Sequence, residues 1–137
     1  MWLLPALLLL VSCGQQHEAR TAREFVERYT KVWQREDVDA IVAMKYDLKK
    51  FDIARIPQGK EGLLTNYTFG KERAEVEADI KAKGFVYRLS TDLTYVSEQD
   101  HGDHIHVRVA QGAARSDIVL VRDGEALKMF PYPSWFE

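Results

Sequence analysis

Around Gly84 the apolar periodicity of this chain changes, and the change bounds the folds open to it. Before that point apolar residues recur at helical spacing, and after it they alternate. Phe25, Val26, Tyr29, Val32 and Trp33 fall on one stripe of a helix running from Thr21 to Asp37. Thr21 is placed to cap it, with Glu24 three residues on completing a capping box. Asp37 is placed to cap a second helix from Val38 to about Tyr46, whose apolar face is Val38, Ile41 and Val42. A third helix is predicted over Lys71 to Lys83, with Gly84 as its C′ residue. From Phe85 the residues Phe85, Tyr87, Leu89, Thr91, Leu93 and Tyr95 alternate with Val86, Arg88, Ser90, Asp92, Thr94 and Val96, which predicts one long half-buried strand. Strands are predicted at His104–Gln111, Asp117–Arg122 and Ala126–Phe130, with a hairpin at Asp123-Gly124 and a stop at Pro131. Between the second and third helices, Phe51 and Ile53 alternate with Asp52 and Ala54 as a short strand, Pro57-Gln58-Gly59-Lys60 reads as a turn, and 63–69 reads as strand or loop. Helices first and an antiparallel meander last make an α+β domain.

The other constraint is the amino-terminal stretch. Residues 1–12 carry no charged side chain, and Trp2 to Val11 is about the length of a signal-peptide apolar core. It is shorter than the roughly 20 apolar residues of a bilayer-spanning helix. Leu10-Val11-Ser12-Cys13 resembles the lipobox of bacterial lipoproteins, although the stretch lacks the usual basic residue near its start. The resemblance implies cleavage before Cys13, lipidation of its thiol and acylation of the new amino terminus. Cys13 is the chain's single cysteine and cannot pair within the chain. Each buried methylene of such a lipid contributes roughly 0.8 kcal/mol, and two or more acyl chains give stable anchoring. Gly14 in place of Asp after the cysteine points to the outer membrane, facing the periplasm, as the address in the cell envelope. The resulting layout is a signal peptide over 1–12, a lipidated tether over 13–20, and one domain over 21–137.

With 19 basic and 21 acidic residues the chain has a net charge of −2, and no basic face marks a nucleic-acid partner. Phe25-Val26, Tyr29, Trp33, Asp37-Val38-Asp39-Ala40-Ile41 and Met44, followed by the closing run Val119 to Met129, resemble the NTF2-like (cystatin-like, SnoaL-like) superfamily. The resemblance covers about residues 20–130. It implies a cone: three N-terminal helices packed on a curved antiparallel sheet whose last four strands form a meander. It also implies an interior cavity, for which Tyr29, Trp33, Tyr46 and Tyr87 are the candidate lining. The superfamily holds enzymes and binding domains alike, so activity has to be read from the site.

An isomerase or cyclase in such a cone needs a base in an apolar pocket and donors for an oxyanion. Asp47 and Asp52 are the carboxylates in reach, with Tyr29, Tyr46 or Tyr87 as donors; as a bland alternative the aspartates cap turns and the tyrosines fill the core. No set matches a known catalytic motif, so no catalytic residue and no cofactor is assigned. Asp100-His101-Gly102-Asp103-His104-Ile105-His106 is the densest polar cluster. Imidazoles suit zinc or copper. Yet Ile105, Val107 and Val109 are core-facing by alternation, which sends His104 and His106 to the outer, wet face, and no metal is assigned to His101, His104 and His106 on sequence grounds. Lys49, Lys50, Arg55 and Lys60 read as a solvated face. The aromatic tail Pro131 to Phe136 reads as packing on its own domain, with partner docking as the alternative.

The expected protein is therefore a lipid-anchored envelope module, more binding protein than enzyme, that takes a small apolar ligand or an envelope protein. An enzyme acting in the cone, or a structural subunit that pairs as a homodimer through its sheet, is the alternative. Cys13→Ser is expected to move the protein from the detergent-rich to the aqueous phase in detergent phase separation, with loss of the lipid mass.

Overall fold

The computed structural model describes residues 18–60 and 69–136. The leader, Cys13, most of the tether and nearly all of the predicted strand or loop at 63–69 lie outside these residues. The described chain is α+β, with four α-helices and a four-stranded antiparallel sheet. None of its helices is long and apolar enough to cross a membrane.

Helix α1 spans Ala22–Gln34, and the Thr21 hydroxyl accepts the Glu24 N–H at 3.1 Å, as the capping box predicts. Phe25, Val26, Tyr29, Val32 and Trp33 are all buried along one face. Each fully buried side chain of this size contributes about 1.5–3 kcal/mol. The helix ends on Glu36, whose φ of 56° lets the Asp37 N–H reach back to the Val32 carbonyl at 3.0 Å. Asp37 then caps helix α2, Val38–Ala43, through the Ala40 N–H. Helix α2 stops short of the predicted Tyr46 because the chain pairs with the sheet: Lys45 bridges Met129 in parallel, and the Tyr46 N–H donates to the Met129 carbonyl at 2.8 Å.

The short strand predicted around Phe51 and Ile53 is instead two 3-10 turns, Leu48–Lys50 and Ile53–Arg55. Asp47 accepts the Lys49 N–H and Asp52 accepts the Ala54 N–H, each two residues on. Such side-chain bonds hold the backbone in turns and take it away from a ladder. Helix α3 spans Phe69–Ala82. A fourth helix, α4 at Phe85–Ser90, replaces the first half of the long strand predicted from Phe85 and raises the helix count from three to four. Six residues are too few to separate the two periods, and caps decide between them. The Asp79 carboxylate accepts the Tyr87 N–H at the start of α4, and the Thr91 hydroxyl donates to the Tyr87 carbonyl at its end. Lys83, with φ 50°, takes the left-handed position predicted for Gly84. Gly84 caps α4 instead, and a Cβ there would collide with the Asp79 carboxylate.

The sheet runs β1 (Thr94–Asp100), β2 (Ile105–Gln111), β3 (Ala114–Asp123) and β4 (Ala126–Met129), paired in that order. The two-residue turns after Gln111 and Asp123 begin with Gly112 (φ 57°) and Gly124 (φ 65°). A glycine at the first turn position suits the right-handed twist of a hairpin. Both faces of the sheet are used. Ile105, Val107, Val109, Leu120 and Leu127 face α1 and α2. Val119 and Val121 face the other way and join Leu48, Phe51, Ile56 and Phe130 in a second cluster. The aromatic tail closes that cluster: Trp135 and Phe136 lie 5.6 and 6.0 Å from the Phe51 ring, centroid to centroid. Removing residues 134–137 is expected to lower the melting temperature by roughly 5–10 °C, the equivalent of about 2 kcal/mol of lost aromatic packing, in a thermal unfolding scan.

Candidate functional site

Three of the four aromatic residues expected to line a cavity come together. Tyr29 and Trp33 are one turn apart on α1 with centroids 6.2 Å apart, and Tyr87 of α4 lies 6.3 Å from Trp33. Tyr46 does not join them. Its ring packs 5.8 Å from Phe130 in the second cluster, because pairing with Met129 carries residue 46 past the sheet edge. Trp33 is fully buried, and its indole N–H has no acceptor among the described residues. Beside it is a cavity of about 280 Å³ lined by Trp33, Lys45, Glu72, Val76, Asp79 and Val86, among others.

The polar floor of that cavity was not legible in the sequence. The Lys45 ammonium lies 3.1 Å from Glu72, and both side chains are more than four-fifths buried. Burial pulls the Lys45 pKa down, but Tyr29, Glu72 and Glu75 outweigh it, so the value is raised above the ordinary 10.5. Glu72 is thus committed to an ammonium. Asp47 and Asp52, the candidate bases, are held by turn N–H groups and do not line this cavity. Of the basic residues expected on a solvated face, Lys50 pairs with Asp123 at 3.1 Å and Arg55 pairs with Asp103.

The histidines form a second, separate constellation. His101 in the β1–β2 turn, His104 at its end and His106 at the start of β2 have ring centroids 4.7, 5.2 and 5.0 Å apart. One ring nitrogen of each can be chosen so that all three lie within 4.8 Å of one another. The alternation of Ile105, Val107 and Val109 into the helix-side core is as predicted, but the opposite face is not simply wet. His104 is only 9% exposed, and Phe136 of the tail lies against it, tilted, with ring centroids 4.3 Å apart. Asp103 Oδ1 lies 2.6 Å from His104 Nδ1, and the other carboxylate oxygen binds Arg55. His104 first, and then Arg55, hold the Asp103 carboxyl below its ordinary 3.8. An ionised carboxylate only accepts, so Nδ1 carries a proton, and in the neutral imidazole Nε2 is then the nitrogen with the lone pair. The turn itself is braced. Gly102, at φ 92°, donates to Asp100 Oδ1 at 2.8 Å, while Arg122 donates to the Gly102 carbonyl at 2.8 Å and to Asp100 Oδ2 at 2.9 Å. Arg55, Arg122 and Phe136 are the supporting residues that spacing alone does not reveal.

Because the folded pKa of Lys45 lies above its unfolded 10.5, its stabilising contribution is complete below pH 10.5 and is lost as pH rises through the raised value. Stability measured by denaturant titration is expected to fall over that alkaline range. Glu72→Gln should cost about 2 kcal/mol at neutral pH, by taking the hydrogen-bonded carboxylate from a largely buried ammonium and leaving it only the coulombic attraction of Glu75. No protein-family model, curated protein or solved structure matches the chain.

Proposed function

We propose that the chain is a lipid-anchored binding module of the cell envelope, tethered through Cys13, whose NTF2-like domain takes a small ligand rather than catalysing a reaction. The observation that carries the ligand reading is Trp33. It lines a cavity of about 280 Å³ and holds a buried indole N–H without an acceptor among the described residues. A buried, unmade hydrogen bond costs about 1–3 kcal/mol, and a small ligand seated in that cavity with an acceptor in reach of the indole would recover it. The commitment of Glu72 to Lys45, and of Asp47 and Asp52 to turns, favours binding over general acid–base chemistry. The order of elements, with helices first and an antiparallel meander last, supports the NTF2-like reading. The lipobox-like Leu10 to Cys13 supports the anchor and the outer-membrane, periplasm-facing address.

The full chain, isolated from its own host in mild detergent, is expected to carry a small molecule in native mass spectrometry. Trp33→Phe keeps the packing and removes the donor, and should lower the retained fraction about tenfold. Retention equal to that of the unaltered chain, or no retained mass in either protein, would refute the reading.

A further inference from the structure

We propose that His101, His104 and His106 form a binding site for a zinc ion, with one coordination position left open to the cleft beside them. The site is on the face of the sheet opposite the Trp33 cavity, since Ile105 and Val107 between and beside these histidines point into the helix-side core. It does not depend on the ligand reading above.

Four observations converge on it. The first is shape. A tetrahedral zinc with Zn–N bonds of about 2.0–2.1 Å places the centroids of its imidazole ligands roughly 5 Å apart in an equilateral triangle. The observed separations of 4.7, 5.2 and 5.0 Å form such a triangle. A square-planar copper site would instead need one long and two short edges. The donor nitrogens, within 4.8 Å of one another, have to close by about 1.5 Å to reach a tetrahedral edge of roughly 3.3 Å. His101 is exposed on the turn, and its side chain can supply that movement.

The second is the outer support. A carboxylate on the far nitrogen of a ligating histidine fixes its tautomer and raises its basicity. With Nε2 as the ligand atom of His104, Asp103 stands in that relation to it, 2.6 Å from Nδ1, and is itself held by Arg55. The third is the turn, held in a fixed shape by Asp100, Gly102 and Arg122 before any ion arrives. Such bracing limits the ordering needed on binding. The fourth is access. Phe136 covers the His104 side, whereas a cleft of about 530 Å³ opens on His101 and His106, lined also by Glu98, Gln99 and Arg108. Three protein ligands with an open fourth position leave room for a water molecule or an anion. The cluster among the described residues is made of imidazoles alone, with no thiolate, and imidazole suits a borderline dication such as zinc.

The test is calorimetric titration of zinc chloride into the full chain in detergent. One zinc per chain is expected. His106→Ala should weaken it at least 100-fold, and Asp103→Asn by 10- to 100-fold. His101→Ala should weaken it at least tenfold. Because His101 is exposed, this variant tests the site even if His104 or His106 proves necessary for folding. His17→Ala, which removes the only other histidine, should leave affinity unchanged. Cobalt(II) loaded in place of zinc should give the intense visible bands of four-coordinate cobalt. Absence of one-to-one binding, unaltered affinity in both His101→Ala and His106→Ala, or only the weak bands of six-coordinate cobalt would overturn the proposal.

Discussion

The closure of β4 holds the two halves of this protein together. Its Leu127 N–H donates to the Ala19 carbonyl, its Met129 N–H to the Met44 carbonyl, and its Met129 carbonyl accepts from Tyr46. An edge strand presents a row of unpaired backbone groups, and here the segments before α1 and after α2 supply the partners. The helical half is thereby fixed in register against the sheet before any side chain is counted. Two results follow: α2 is cut short at Ala43, and the chain leaving Lys45 is carried to the far face of the sheet.

That passage divides the interior. On one face α1 lays Phe25, Tyr29 and Trp33 against Val107, Val109 and Leu120. On the other, two 3-10 turns and the aromatic tail cover Val119, Val121 and Phe130. Each face has its own polar feature at its margin, the Lys45–Glu72 pair on one and the histidine triangle on the other. The two are separated by the thickness of a sheet. A substitution in one therefore need not disturb the other, as expected for sites that share no contacts.

The parts of this arrangement that were legible in the sequence are those fixed by near neighbours. Thr21 and Asp37 cap where their spacing from Glu24 and Ala40 says they should. Gly124 turns the chain at the hairpin read from Asp123-Gly124, and the inward parity of Ile105, Val107 and Val109 holds. What escaped is what distant residues decide. The alternation from Phe85 to Ser90 gives way to a helix because Asp79, on the preceding helix, holds the Tyr87 N–H. The parity argument correctly turned His104 away from the helices, but the far side was assumed to be water. Phe136, 32 residues further along, occupies it. Tyr46 was grouped with Tyr29, Trp33 and Tyr87 by residue type, and a backbone pairing puts it elsewhere.

The opposite margin of the sheet behaves differently. Among the described residues no strand pairs with the outer side of β1. The register between β1 and β2 slips between Tyr95 and Ser97, leaving Val96 as an extra residue, and Glu98 and Asp100 follow on the same strand. A bulge interrupts the even row of donors and acceptors that a foreign strand needs for growth, and the acidic residues repel a second copy of the same edge. β1 is thus shaped against edge-to-edge growth with further copies of the same chain.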